Sequence, residues 1–288
     1  MRIAQISDFH FTRLNWNPLR LFSKRLLGQL NWVFSRDHAF KEDLLDPLPS
    51  LFQELQVDQV LLGGDFTSTA LKKEFELAAQ FVKKLGKTPW IAISGNHDVY
   101  TYRSSFRKDF YRYFPNLPSQ ETINSFTLSE HQIEAHRLNE QYWLIALDVC
   151  RATNLYSSRG LFSQKLQERM QETLSLIPAN HSILVLCHYP FFQNDAHRRN
   201  LKGGENLQTI LKLDPRIKAF LHGHTHRHTI ADLQPSNLPL ILGSGSCTEL
   251  DRAHWNLIDL ASQGCQVSTY HWNQGWKISH TQEIKWTR

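Results

Sequence analysis

The sequence has few cysteines and no long hydrophobic run, and each shortage excludes a class of protein. Its 288 residues include four cysteines with no CxxC pair, which excludes a small disulfide framework and favours reduced thiols in the cytoplasm. No apolar stretch reaches the roughly 18 residues of a membrane-spanning helix, and Asp8 follows Met1 too closely for a signal peptide. No Gly/Ser-rich or Pro-rich linker divides the chain, so we expect a single domain over residues 1–288.

The charge balance is mildly basic and points to an anionic partner. The net charge is +5, from 32 Lys and Arg against 27 Asp and Glu, and several of the basic residues lie within residues 20–36. Such a balance indicates an anionic substrate or surface. Zinc-finger spacings, RNP-like runs and basic tails are absent, so nucleic acid is not an expected partner.

Apolar runs alternate with amphipathic segments through most of the chain. We predict strands at residues 2–7, 57–62, 89–94, 142–148, 182–187 and 217–222. We predict helices at residues 40–55, 71–85, 103–114, 163–177 and 204–213. This alternation is typical of βαβ units and predicts a doubly wound first half, whereas short strands at 229–233, 238–243, 255–260, 266–272 and 282–286 favour antiparallel pairing. The whole pattern predicts an α/β fold with two stacked sheets flanked by helices.

Five short groups of potential metal ligands recur where predicted strands end. They are Asp8-Phe9-His10, Gly64-Asp65, Gly95-Asn96-His97-Asp98, Cys187-His188 and Gly223-His224-Thr225-His226. Taken singly, a group of this kind also fits a cap, a turn or a buried histidine, although the three imidazoles of residues 222–226 have little structural use without a cation. Strand ends on one edge of an α/β sheet converge on a crevice, so the groups are expected to meet at one point.

In their order along the chain, the groups resemble the calcineurin-like metallophosphoesterases, whose pattern is D-x-H, GD, GNH[DE], a lone H and GH-x-H. The resemblance covers Asp8 to His226 and implies a four-layer αββα sandwich with a two-metal centre. By position it implies that Asp8, His10 and His226 bind one metal, that Asn96, His188 and His224 bind the other, and that Asp65 bridges both. Such mixed nitrogen and oxygen ligands suit manganese, our first choice, and also iron or zinc.

The implied chemistry is hydrolysis at phosphorus. Two divalent ions clamp the phosphoryl oxygens and activate the attacking water, so no protein nucleophile is required. His97 has the position that the family uses near the leaving oxygen, where its imidazolium donates a proton or stabilises charge. A hydrogen bond that holds a neighbouring ligand is the alternative role for His97. Asp98 is expected to orient the loop rather than to bind metal.

An insertion at about residues 14–38 is the main clue to the substrate. Its apolar residues have helical spacing, with Lys24 and Arg25 between them and Trp16 and Trp32 nearby. It could form a lid over the site, a membrane contact or an ordinary core helix. The stretch from Arg20 to Trp32 is similar to bacterial UDP-2,3-diacylglucosamine pyrophosphatases of lipid A synthesis, which implies a peripheral enzyme on the cytoplasmic face of the inner membrane. Such an enzyme would release UMP and 2,3-diacylglucosamine 1-phosphate, and its phosphate contacts are assigned to Arg13, Lys24, Arg25 and Arg151.

Two alternatives belong to other classes. A phosphodiesterase for 3',5'-cyclic AMP would use the same metal centre and would act without lipid. A binding scaffold would keep the fold and hold a partner instead of a substrate. Such a scaffold is expected to have lost ligands, whereas every ligand position here carries a competent side chain.

Overall fold

A computed structural model describes residues 1–13, 40–116, 123–154, 156–193 and 196–288. The predicted lid-like insertion at residues 14–38, including Lys24 and Arg25, lies outside these described residues. Within the described ranges, no helix has both the length and the apolar character needed to cross a bilayer.

Strands and α-helices are mixed through the first three quarters of the chain, and strands are the main elements of the last quarter. In chain order the strands are β1 (Arg2–Ile6), β2 (Gln59–Leu62), β3 (Trp90–Ala92), β4 (Ile133–Arg137), β5 (Tyr142–Leu147), β6 (Gly160–Leu161), β7 (Ser182–Cys187), β8 (Leu201–Lys202), β9 (Ile217–His222), β10 (His228–Asp232), β11 (Leu240–Ser244), β12 (His254–Ala261), β13 (Gly264–Trp272) and β14 (Trp276–Lys285). The α-helices are α1 (Leu48–Glu54), α2 (Lys72–Lys84), α3 (Tyr102–Phe106), α4 (Asp109–Tyr113), α5 (Leu128–His131), α6 (Gln164–Leu176) and α7 (Gly204–Leu213).

Two six-stranded mixed sheets form the inner layers. The first has the order β14-β13-β12-β1-β2-β3, with β1, β2 and β3 parallel and β12 antiparallel to β1. The second has the order β10-β11-β9-β7-β5-β4, with a parallel centre and antiparallel strands at both edges. Strands β6 and β8 make a separate small parallel pair. The predicted fold of two mixed sheets flanked by helices is confirmed.

Three hydrophobic layers hold the sandwich together. Ile3 of the first sheet and Leu184 of the second lie in the layer between the sheets. Successive side chains of a strand point to opposite faces of the sheet. Ala4, the residue after Ile3, therefore lies in the outer layer of the first sheet, together with Phe75 of α2. Met170 of α6 packs in the outer layer of the second sheet. Strands buried on both faces read as continuous apolar runs, which is why β1, β2, β5, β7 and β9 were recognisable from sequence.

Some sequence predictions were wrong in detail. The first half is not doubly wound. Helices cover only the outer face of each sheet, and the inner faces of the two sheets pack against each other. The helix predicted at 103–114 is two helices, since Lys108 adopts a left-handed backbone with a φ of 52°. Strand β4 and helix α5 were missed because their short, mixed sequences lack a clear period. Strand β11, in the region where antiparallel pairing was favoured, pairs antiparallel with β10 and parallel with β9.

His136 on strand β4 makes the stability of the fold sensitive to acid. Burial lowers its pKa from the usual 6.5 to about 4. The unfolded chain therefore takes up a proton near pH 6.5 and the folded chain does so only near pH 4, so stability is complete above pH 6.5 and is lost as the pH falls. From this residue we expect the free energy of unfolding to be about 2 kcal/mol lower at pH 5 than at pH 7. Urea unfolding of wild type and His136→Gln at both pH values measures this difference; an equal pH dependence in the two proteins would contradict it.

Candidate metal centre

The loops that follow five parallel strands meet at one edge of the two sheets. The residues concerned follow β1, β2 and β3 of the first sheet and β7 and β9 of the second. Backbone hydrogen bonds join the loops, from Asp8 N to Gly64 O at 2.9 Å and from His10 N to Asp65 O at 3.0 Å. Gly223 N donates to the carbonyl oxygen of the histidine after β7 at 3.1 Å. The predicted convergence of strand ends therefore exists in the fold.

One group of ligand atoms comes from both sheets. The ligand atoms of Asp8, His10, Asp65 and His226 all lie within 4.8 Å of one another. His226 Nε2 is 3.3 Å from Asp8 Oδ1, and His10 Nε2 is 3.8 Å from Asp65 Oδ2. The two imidazole nitrogens, Nε2 of His10 and Nε2 of His226, are 3.0 Å apart. This spacing suits ligands that surround one ion.

A second group shares Asp65 with the first. The ligand atoms of Asp65, His188 and His224 also lie within 4.8 Å of one another, and His188 Nε2 is 3.4 Å from Asp65 Oδ2. Asn96 precedes His97, whose backbone N–H donates to Asp65 Oδ1 at 2.8 Å. The Oδ1 atom of Asn96 is buried and has no hydrogen-bond partner in the described part of the chain. An unsatisfied buried acceptor is costly, and a cation at this position would satisfy it.

Three of the histidines are held by one ring nitrogen, which leaves the other for a metal. His188 Nδ1 donates to Gly63 O at 2.7 Å, and His226 Nδ1 donates to Glu249 Oε2 at 2.9 Å. The ring of His224 has the opposite arrangement, with Nε2 at 3.0 Å from Arg199 O. Such outer hydrogen bonds fix the tautomer and the orientation of metal-binding histidines. The residues present therefore fit two divalent ions.

The backbone at these positions is strained, which is common at functional sites. Five ligand candidates have left-handed backbone conformations, with φ values of 57° for Asp8, 50° for His10, 55° for Asp65, 69° for His224 and 53° for His226. Two neighbouring glycines permit the close approach of the loops. A Cβ on Gly223 would lie 2.6 Å from Asp8 Oδ2, and one on Gly95 would collide with the Asp65 carboxylate. The glycines of the sequence motifs are thus required by packing.

Charges in the site favour the binding of cations. Burial alone would raise the pKa of Asp65, but the charges of His188 and His97 hold it well below its usual value. Burial alone would lower the pKa of His188, yet the neighbouring Asp65 carboxylate raises it to about 9. His226 likewise has a pKa raised to about 9, against the effect of burial, by Asp8 and Glu249. Protons on these rings balance the carboxylates, and metal ions would take over that role as the protons leave.

The sequence matches the family described as Calcineurin-like phosphoesterase over residues 1–228. The chain belongs to this family. It is 25% identical over 174 residues to a 3',5'-cyclic adenosine monophosphate phosphodiesterase from Haemophilus influenzae, over 60% of this chain and 56% of that protein. The chain thus matches little more than half the length of this curated relative.

Solved structures share the fold of this calcineurin-like phosphoesterase at low sequence identity. A dimetal phosphatase from Danio rerio has a TM-score of 0.67 at 13% identity, with 99% of both chains covered. A purple acid phosphatase from yellow lupin seeds has a TM-score of 0.63 at 11% identity, covering 99% of this chain and 53% of that one. These likenesses concern the fold alone.

His97 lies at the open side of the ligand groups in this phosphoesterase. Its ring meets that of His10 edge-on at 4.8 Å and stacks on Tyr100 at 5.6 Å between centroids. Its Nδ1 is 2.7 Å from Ser68 O, so this nitrogen anchors the ring. The side chain is half-buried, whereas the neighbouring Asn96 is buried.

Asp98 ties the loops together and lies behind the ligands. Its carboxylate accepts the backbone N–H of Phe66 at 3.2 Å, of Thr67 at 2.9 Å and of Gly95 at 2.9 Å. Burial and the charge of Asp65 raise its pKa to about 7. The expected loop-orienting role agrees with these contacts.

Two of the predicted substrate contacts, Arg13 and Arg151, lie in the described part of the chain. The Arg13 guanidinium forms an ion pair with Glu42 at 2.8 Å and donates to Thr12 O at 2.6 Å. Arg151 is exposed on the loop after β5. Lys24 and Arg25 lie outside the described residues. The role of these residues in substrate binding stays a prediction.

Sequence reasoning missed two carboxylates that support the centre. Glu249 holds His226, and Asp148 accepts Ser94 Oγ at 2.9 Å and Cys150 N at 2.9 Å while the Tyr111 hydroxyl also donates to it. Asp148 directly follows β5, and Glu249 lies in the polar turn after β11. The rule that polar residues after strands meet at one edge would have found Asp148 but not Glu249, which lies further from the end of its strand.

Glu249 is expected to control metal affinity through His226. We predict that Glu249→Gln lowers the affinity for one of two Mn²⁺ ions by about 10- to 100-fold, because the charge that orients and polarises the ring is lost. Competition with a chelator, followed by metal analysis, measures this change. Asp251→Asn removes the same charge from an exposed residue of the same turn and should have no effect. Equal affinities in wild type and Glu249→Gln would refute the role of Glu249.

Proposed function

We propose that this calcineurin-like phosphoesterase hydrolyses a phosphodiester or pyrophosphate bond with two divalent metal ions. The observation that carries the proposal is the sharing of Asp65 between two compact groups of ligand atoms. A carboxylate in this position can bridge two ions, and two-metal sites are typical of enzymes that cleave phosphate esters. The buried Oδ1 atom of Asn96 has no hydrogen-bond partner among the described residues, which supports the binding of a second ion beside Asp65.

The proposed ligand sets follow the two groups. Asp8, His10 and His226 would hold one ion, and Asn96, His188 and His224 would hold the other, with Asp65 common to both. Nitrogen and oxygen ligands in these proportions suit manganese, with iron and zinc as the other candidates. When bound, the ions would polarise the phosphoryl oxygens and activate water for in-line attack.

The chain itself would supply the proton for the leaving group. His97 has its Nδ1 anchored on Ser68 O, so proton transfer would use Nε2. The contact between the His97 backbone N–H and Asp65 Oδ1 fixes the loop relative to the shared carboxylate. A protonated imidazole in this place would neutralise the leaving oxygen as the bond to phosphorus breaks.

Two substrates are candidates. Similarity to a cyclic AMP phosphodiesterase favours a 3',5'-cyclic nucleotide. The basic amphipathic sequence of residues 14–38 favours the lipid nucleotide UDP-2,3-diacylglucosamine, cleaved by a cytoplasmic enzyme in peripheral contact with the membrane. Both substrates present a phosphate ester to the same pair of ions.

The deciding experiment is a substrate panel with Mn²⁺-loaded protein. UMP release from the lipid nucleotide in detergent micelles and 5'-AMP formation from cyclic AMP without detergent would identify either substrate. Cleavage of bis(4-nitrophenyl) phosphate measures phosphodiester hydrolysis independently of the natural substrate. Turnover of this diester alone would count against both substrates, and no turnover at all in metal-loaded protein would favour the binding scaffold.

His97 is expected to matter for catalysis and not for metal binding. We predict that His97→Ala keeps both ions but loses about 10²- to 10⁴-fold in turnover of substrates with an alkoxide leaving group. The loss should be smaller with bis(4-nitrophenyl) phosphate, whose leaving group needs no proton. Metal analysis and steady-state kinetics on both substrate types measure this, with His280→Ala on the exposed face of β14 as the control. Unchanged turnover of the alkoxide substrate would remove His97 from the mechanism.

A further inference from the structure

A basic concavity lies beside the metal centre and has no part in the ligand groups. Its volume is about 710 Å³, and the loops after β5 and β7 form its two sides. Its lining includes Arg151 and Arg159 from the first loop and His197 and Arg198 from the second. Volumes of this size hold small ligands or parts of larger ones. Three guanidinium groups around one opening indicate an anionic occupant.

The two sides of the concavity are fixed to each other. Strands β6 and β8 pair directly beyond it, and Ser158 N donates to Arg198 O at 3.0 Å. The buried Tyr189 donates its hydroxyl to Ser158 O. The arginines therefore project from a braced framework, and such bracing lowers the entropy cost of binding a ligand.

Short contacts connect this framework to the metal ligands. The ring of Tyr189 lies 4.1 Å from that of His224, and Arg199 O is 3.0 Å from His224 Nε2. Arg198 is the next residue along the chain, so its Cα lies about 3.8 Å from that of Arg199. Burial raises the pKa of Tyr189 well above its usual value, and the charge of Arg151 opposes that rise, so Arg151 is also near this ring.

The arginine side chains have no acidic partner among the described residues. Arg151, Arg159 and Arg198 form no ion pair or side-chain hydrogen bond there, and the Nε atom of Arg159 is buried without a hydrogen-bond partner. Asp195 is the one acidic residue between Tyr189 and Arg199, and it lies outside the described residues. This buried N–H group belongs to a cation and has no acceptor among the described residues. It can therefore donate a charged hydrogen bond to a ligand.

We propose that this concavity binds a second, non-scissile phosphate group, so that the substrate is a pyrophosphate-linked ester. The inference rests on the proposed function, because it assumes that the scissile phosphate lies on the metals. A cyclic monophosphate has a single anionic group, which the metals would hold, and it would leave the three arginines unused. A pyrophosphate carries a second anionic group directly beside the first, and the contacts of Tyr189 and Arg199 O with His224 place the concavity next to the proposed metal ligands.

Binding of two nucleotides tests the proposal without relying on turnover. Titration calorimetry on Mn²⁺-loaded protein compares uridine 5'-diphosphate with uridine 5'-monophosphate, which differ by one phosphate. Wild type should prefer the diphosphate by at least about tenfold, and Arg151→Ala and Arg198→Ala should each reduce the preference by about tenfold, since a charged hydrogen bond is lost. Arg151→Lys should keep part of it. All titrations use the same ionic strength, because screening alters such contacts.

Controls separate this proposal from the proposed function. Arg112→Gln removes a charge from α4, where the side chain is 64% exposed, and should leave both affinities unchanged. Hydrolysis of bis(4-nitrophenyl) phosphate by Arg112→Gln should likewise stay within about twofold of wild type, because Arg112 belongs neither to the ligand groups nor to the concavity. Equal affinity of wild type for the two nucleotides, or an undiminished preference in both alanine variants, would overturn the second phosphate site. Failure of wild type to cleave any ester would instead overturn the proposed function, and the titrations would still decide the phosphate site.

Discussion

The rest of the site depends on the contacts that the buried carboxylate of Asp65 makes. Its Oδ1 accepts the backbone N–H of His97 at 2.8 Å, its Oδ2 lies 3.4 Å from His188 Nε2, and its own carbonyl accepts His10 N at 3.0 Å. One residue thus positions a ligand of each group and the loop of the proposed acid. A carboxylate buried this fully is tolerable only when cations compensate it, whether imidazolium or metal. The histidines around it therefore serve the stability of Asp65 as well as the chemistry.

The two-sheet architecture brings the partners of Asp65 to it. Asp8, Asp65 and Asn96 come from loops of the first sheet, whereas His188 and His224 come from loops of the second. The dry layer between the sheets, with Ile3 and Leu184 in it, sets the distance between these loops. A change in that packing would move the two halves of the centre relative to each other. The hydrophobic core and the polar site are thus coupled through strand position.

The part of this molecule that could be predicted from sequence is the part encoded locally. Strand β7 is an unbroken apolar run, and His188 after it has a fixed place in an ordered series of motifs. Glu249 could not be assigned in that way, because its partner is 23 residues distant and the contact arises from the way β11 joins β9. The tautomer of His224 could not be predicted from the sequence either, because it depends on the backbone carbonyl of Arg199 in a separate loop. Long-range contacts of this kind leave no period or spacing in the sequence.

Our proposals assign reaction type and substrate choice to physically different parts of the chain. The ligand loops are short, have left-handed backbones and pack so closely that a Cβ on Gly223 would lie 2.6 Å from a carboxylate oxygen, so they have little freedom to change shape. The loops that carry Arg151 and Arg198 are exposed, and their described residues contact the centre through Tyr189 and through a carbonyl contact to His224. Exposed loops on a rigid scaffold can change without disturbing the core. A metal centre of this kind can consequently keep its shape while the outer loops vary, and in our proposal the charges on those loops select the ester that reaches it.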